Sequence, residues 1–177
     1  MNRELIFRAK CAGVWRYGNY VHFDKTPTYS LFNERYNDFI IANEENGSHY
    51  YPITDILSIG QFTGLTDKNG NKIFEGDIVE YYELDSYCIN PDCDVHLHGY
   101  GSVVNKREGL VKFDEGEFVV DEGNDYLTNL SICGIYEDIL DDIEEDAYLE
   151  SNGYELDDSI VGIKIIGNVT DNPELME

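Results

Sequence analysis

At 177 residues the chain is long enough for one domain with its own core and too short for two ordinary ones. Against 12 Lys and Arg stand 36 Asp and Glu, a formal net charge of -24, which repels nucleic-acid backbones and anionic lipid surfaces. Hydrophobic residues at 42% and aromatic ones at 13%, mostly the 14 tyrosines, exclude a disordered chain and lean towards β-structure.

The first residues, MNRELIFRAK, carry charges where a secretory signal would hold an apolar run, and no segment reaches membrane-spanning length. The expectation is a cytoplasmic protein with no membrane contact, in which Cys11, Cys88, Cys93 and Cys133 stay reduced. A local basic patch is conceivable around Arg3, Arg8, Lys10 and Arg16. Residues 3–10 and 14–23 read as strands, because aromatic and β-branched residues mix there with polar ones around Gly13 and Gly18. Residues 24–52, rich in Tyr, Asn and Pro, read as loops with at most short strands. In ITDILSI, 53–59, Ile53, Leu57 and Ile59 fall on one face of a half-buried strand.

Next comes QFTGLTDKNGNKIFEGDIVEYY, residues 61–82. Asn69-Gly70 supplies a tight hairpin turn between QFTGL and KIF, Glu75-Gly76-Asp77 a second turn, and residues 78–82 a strong strand. Asp77 is expected to bond backbone amides in its own turn. Residues 83–108 look like an excursion, and GLVKFDEGEFVV, 109–120, reads as a second hairpin turning at Glu115-Gly116. Tyr136, Ile139, Leu140, Ile143 and Ala147 recur at helical spacing among acids, which predicts one acidic amphipathic helix over 136–150, stopped near Asn152-Gly153. SIVGIKIIGNV, 159–169, is a last β-rich run, and DNPELME reads as a polar tail.

The chemistry-bearing candidates are few. Asp67-Lys68-Asn69-Gly70 lacks the ligand spacing of a calcium loop, and no phosphate-binding glycine motif occurs, so this stretch reads as turn chemistry. Cys88, Cys93, His96 and His98 offer two thiolates and two imidazoles within CINPDCDVHLHG, a ligand set suited to tetrahedral zinc although the spacing is not that of a usual finger. An exposed loop with incidental Cys and His is the plainer reading of that segment. The acidic run Glu137–Asp158 reads first as a solvated helix face, with divalent cations, DNA mimicry or a basic partner as the alternatives. Trp15 reads as core. No nucleophile motif and no H-E-x-x-H is present, so no catalytic residue and no cofactor beyond that zinc are expected.

RELIFRA at the start, IGQFTGLTDKNGNKIFEGDIVEY in the middle, GLVKFD after it and IIGNVTDNPELME at the end together resemble the YopX family of bacteriophage and prophage proteins. The resemblance implies a single domain over 1–177, mainly β, with an SH3-type barrel-like core, and it brings no catalytic residues with it. Segments 83–108 and 121–158 then stand as elaborations on that core.

The expected function is a non-enzymatic accessory protein, a β-barrel module that binds a protein partner or self-associates. A zinc module or metal-dependent enzyme using residues 88–98 is the alternative. A nucleic-acid-associated or DNA-mimic protein is the next, with direct nucleic-acid binding disfavoured by charge.

Overall fold

The structure, a computed structural model, describes residues 5–24, 36–88, 100–123, 127–135, 149–150, 153, 155, 157 and 159–176. It is mainly β, built as two six-stranded sheets. The first has the order β4-β3-β2-β1-β5-β6, from β1 (Phe7–Cys11), β2 (Val14–His22), β3 (Asp38–Glu44), β4 (Gly47–Pro52), β5 (Asp55–Thr66) and β6 (Lys72–Phe74). The second has the order β10-β9-β8-β7-β12, from β7 (Asp77–Cys88), β8 (Tyr100–Asp114), β9 (Glu117–Asp121), β10 (Leu127–Asn129) and β12 (Lys164–Asn168). All these neighbours are antiparallel, while β11 (Leu149–Glu150) pairs parallel with β8. Neither strand order returns to its start among the described residues, so they form no closed barrel.

Each sheet has its own core. Ala9, Cys11, Ile40 and Ile53 cluster in the first, with Phe7, Tyr20, Tyr51 and Ile59 against them. In the second, Val79, Tyr81, Val111, Phe118 and Val120 pack with Leu130, Cys133 and Ile163, and Ile73 of β6 joins them from the first sheet.

Several expectations hold, and others shift for identifiable reasons. The hairpin of β8 and β9 turns at Glu115 and Gly116, both with positive φ, as that sequence demands. Within 24–52, however, β3 and β4 form a full hairpin closed by the Glu44–Gly47 pair. Phe39 and Ile40 bury themselves there, and Tyr50 and Tyr51, which suggest loop by composition, serve as strand residues. In β5 the expected face breaks: Leu57 is 85% exposed while Ser58 is buried. A register shift opposite Arg8–Lys10 rotates the strand, and the Ser58 hydroxyl both accepts from the Lys10 amide and donates to the Asp55 carbonyl. Of the expected excursion over 83–108, residues 83–88 and 100–108 continue the β7–β8 pairing as one long hairpin, from Ile78–Leu110 to Cys88–Tyr100, and 89–99 lie outside the described residues. The tail forms a short 3-10 turn, Pro173–Met176. Residues 136–148 of the expected helix lie outside the described residues, and 149–150 are strand.

Candidate functional site

A buried polar constellation lies where the two sheets meet. Arg8, on β1, reaches Asp77, the first residue of β7, with Nη2 2.5 Å from Oδ1. Both side chains are buried, at 10% and 2% exposure. The other Asp77 oxygen accepts from the Phe74 amide at 2.8 Å, closing the Glu75-Gly76 turn as expected. The guanidinium carbon lies 4.8 Å from the Trp15 ring centre and 4.9 Å from that of Phe74, so two aromatic rings flank the charge, while the buried Nε has no hydrogen-bond partner. Burial pushes the Asp77 carboxyl up, with the Arg8 charge and the Phe74 amide pulling it back.

Glycine permits this closeness. A Cβ on Gly60 would lie 2.2 Å from the Glu75 carbonyl oxygen, so β5 could not approach the turn with any other residue there. Gly76, at φ +84, donates to Val111 of β8 and accepts from Val169 beyond β12.

The chain end closes the same joint from outside. Asp171 takes Lys10 on one oxygen and the Trp15 indole N–H, at 2.7 Å, on the other. Hydrogen bonds from Lys10 and Trp15 hold the Asp171 carboxyl down at about 2. Asn168 shapes the turn that presents it, its Oδ1 accepting from the amides of Thr170 and Asp171.

Asp67 organises the loop between β5 and β6. Its Oδ1 accepts from the amides of Asn69 at 2.9 Å and Asn71 at 2.8 Å, and its Oδ2 from the Asn71 side chain at 3.1 Å. Burial would raise this carboxyl, but the bonds from Asn71 and Asn69 outweigh it and hold it low. The loop therefore spans 67–71 around a carboxylate, wider than the two-residue turn that Asn69-Gly70 suggests.

A second polar cluster lies on β7, β8 and β9. The fully buried Tyr81 donates to Glu122 at 2.5 Å, and Arg107 meets Asp85 at 2.8 Å, Glu83 at 3.5 Å and Glu122 at 4.0 Å. Burial, then the Glu122 charge, pushes Glu83 up. Cys133 beside Tyr81 is a free thiol, pushed by burial up to about 12 and so unreactive at neutral pH.

The expected zinc ligands are only partly visible. Cys88 ends β7, while Cys93, His96 and His98 lie outside the described residues. Among the described residues, no group of three or more His, Cys, Asp and Glu could hold a metal. The basic patch does not stand free: Arg8 serves Asp77, Lys10 serves Asp171, and Arg16 lies over the Tyr51 ring at 4.2 Å, with Arg3 outside the described residues. Trp15 is half-buried and hydrogen-bonded at the joint, where sequence reading gave it only a core role. Among the described residues no helix is long and apolar enough to cross a membrane.

The YopX protein family model matches residues 7–177 of this chain. The chain belongs to the YopX family. Protein EF1440 from Enterococcus faecalis, known from its crystal structure, is similar at 23% identity over 98% of this chain and 99% of that one, with a TM-score of 0.39. No curated protein matches. The stretches that carried the YopX resemblance are the ones that build the joint. Arg8 comes from the first, Asp67, Gly76 and Asp77 from the central one, and Asn168 and Asp171 from the last.

Proposed function

We propose that the protein is a non-enzymatic accessory protein of a phage or prophage, working in the cytoplasm by binding a basic protein partner through its acidic surface. One observation carries the reading. Among the described residues every Lys and Arg except Lys164 is engaged internally: Arg8, Lys10, Lys106, Arg107 and Lys112 in ion pairs, Lys68 on the Ser159 carbonyl, and Arg16 and Lys72 over aromatic rings. Meanwhile Glu45, Asp114, Glu115, Glu155 and Glu174 are exposed. A chain of net charge -24 whose cations are taken up by its own carboxylates, carbonyls and rings offers unbalanced acid outside, which steers a basic surface in and turns a nucleic acid away.

The SH3-type character of the core belongs to the same proposal. It is supported by the register shifts in the β1–β5, β5–β6 and β7–β12 pairings, which bend strands as a strongly curved small core requires.

The test is elution size with light scattering, alone and mixed with basic host proteins, at low and at physiological salt. The reading expects a complex of fixed stoichiometry that weakens as salt rises. Absence of any complex at low salt, with the protein monomeric throughout, would overturn it.

A further inference from the structure

The second sheet carries an apolar groove on the face turned away from its core. Side chains alternate between faces along a strand, so Val79, Val111 and Val120 enter the core while Ile78, Leu110 and Asp121 stand on the other side. Cross-strand register extends that row to Leu127 of β10, so that Ile78, Leu110, Asp121 and Leu127 lie side by side over four strands. Two clefts open along the row and share Asp121 and Gly123. The larger, of about 610 Å³, has Phe113, Val119 and Leu127 as its apolar wall. The smaller, of about 330 Å³, is lined by Ile78 and by Leu175 and Met176 of the chain-end turn. Gly167 of β12 seats that turn, since a Cβ there would lie 2.7 Å from Leu175 Cδ1.

Acid rims both clefts. Glu108, Asp121 and Glu122 line the smaller one, and Asp114 and Asp121 the larger, where Lys112 is tied to Asp121. The cations nearby are divided among several carboxylates: Lys106 between Glu108 at 2.6 Å and Glu80 at 2.8 Å, and Arg107 among Asp85, Glu83 and Glu122. Asp114 is exposed and has no polar partner among the described residues. Phe113, Leu127, Leu175 and Met176, each 45–49% exposed, therefore stand beside surplus carboxylate. An apolar wall under a carboxylate rim matches an Arg or Lys side chain, whose methylene stem packs on apolar surface while its charged head meets an anion. A purely apolar occupant would leave those carboxylates desolvated and unpaired.

We propose that the paired clefts take two Arg or Lys side chains from one segment of the basic partner, with the stems on Leu127 and Met176 and the heads at Asp121 and its neighbours. The inference rests on the acidic-surface reading above and narrows it to one place: charge draws the partner in, and the clefts decide which of its residues bind. Leu57 provides an internal comparison, being 85% exposed on the other sheet and lining neither cleft.

An arginine-rich peptide, titrated calorimetrically into the whole protein at low salt, tests this. Leu127→Ser and Met176→Ser, both at half-exposed positions, leave the charge of the protein unchanged. Each should nevertheless weaken binding about threefold to tenfold, the loss of one or two buried methylenes, while Leu57→Ser should bind like the parent. Asp114→Asn should weaken binding about twofold to fivefold, and Glu155→Gln, the same change of charge at another exposed position, should weaken it less. If Leu127→Ser and Met176→Ser both bind like the parent, the clefts are not the site and the proposal is overturned, while the acidic-surface reading stands. If the peptide does not bind the parent at low salt, both are overturned.

Discussion

Arg8 and Asp77 stand 69 positions apart in the sequence yet form one buried ion pair, 2.5 Å between Nη2 and Oδ1, at the junction of the two sheets. Such a pair contributes little over well-packed apolar residues, while loss of either partner strands a buried charge. The family signature thus joins the sheets.

The Asp67 loop gives a first test. Asp67→Ala removes the acceptor of the Asn69 and Asn71 amides and should cost about 1–3 kcal/mol in urea unfolding, since the amides of a tight loop lose their partner. Hydrogen exchange should quicken at those two amides before it changes in β7 or β8.

Acid stability should report on Asp171. Its folded carboxyl is held at about 2 against an ordinary 3.8, so its contribution is complete above the ordinary value and is lost as pH falls towards the folded one. Asp77 runs the opposite way, because its raised carboxyl takes up a proton more readily in the folded chain and favours folding as pH falls through that value. Thermal melts of Asp171→Asn should therefore start lower at neutral pH and fall less steeply between about pH 4 and pH 2 than those of the parent. An unchanged slope would show that the Lys10 and Trp15 bonds do not form in solution.

Gly60→Ala should destabilise by about 1–3 kcal/mol, as overpacking does, because its Cβ would sit 2.2 Å from the Glu75 carbonyl oxygen. Gly70→Ala is a control of another kind: no atom lies within 4 Å of its Cβ, and its φ of +81 alone sets the cost, about 1 kcal/mol. Denaturation midpoints compare the two directly.

Much of the β-structure was legible because hairpin turns announce themselves locally. Glu115-Gly116 and Glu75-Gly76-Asp77 sit between apolar runs, and the chain turns there. The hairpin of β3 and β4 was obscured because Tyr50 and Tyr51 were read with the Asn and Pro around them as loop composition. Leu57 was misassigned because a register shift moves the buried position to Ser58, and a period of two carries no sign of a bulge. Asp77's bond to its own turn was readable, being three residues long in sequence. Its partner Arg8 was not, nor was Asp171 as the partner of Trp15, because pairings of 156 positions and the like leave no local periodicity. The row of Ile78, Leu110, Asp121 and Leu127 becomes visible only once the register of β7, β8, β9 and β10 is known.

The joint itself is tested most directly by a double-mutant cycle with Arg8→Met and Asp77→Asn, read by urea unfolding. Each single change should cost about 3–5 kcal/mol and the double change less than their sum, with a coupling of about 2 kcal/mol or more. Single changes within about 0.5 kcal/mol of the parent, or strictly additive losses, would contradict the claim that this pair holds the two sheets together.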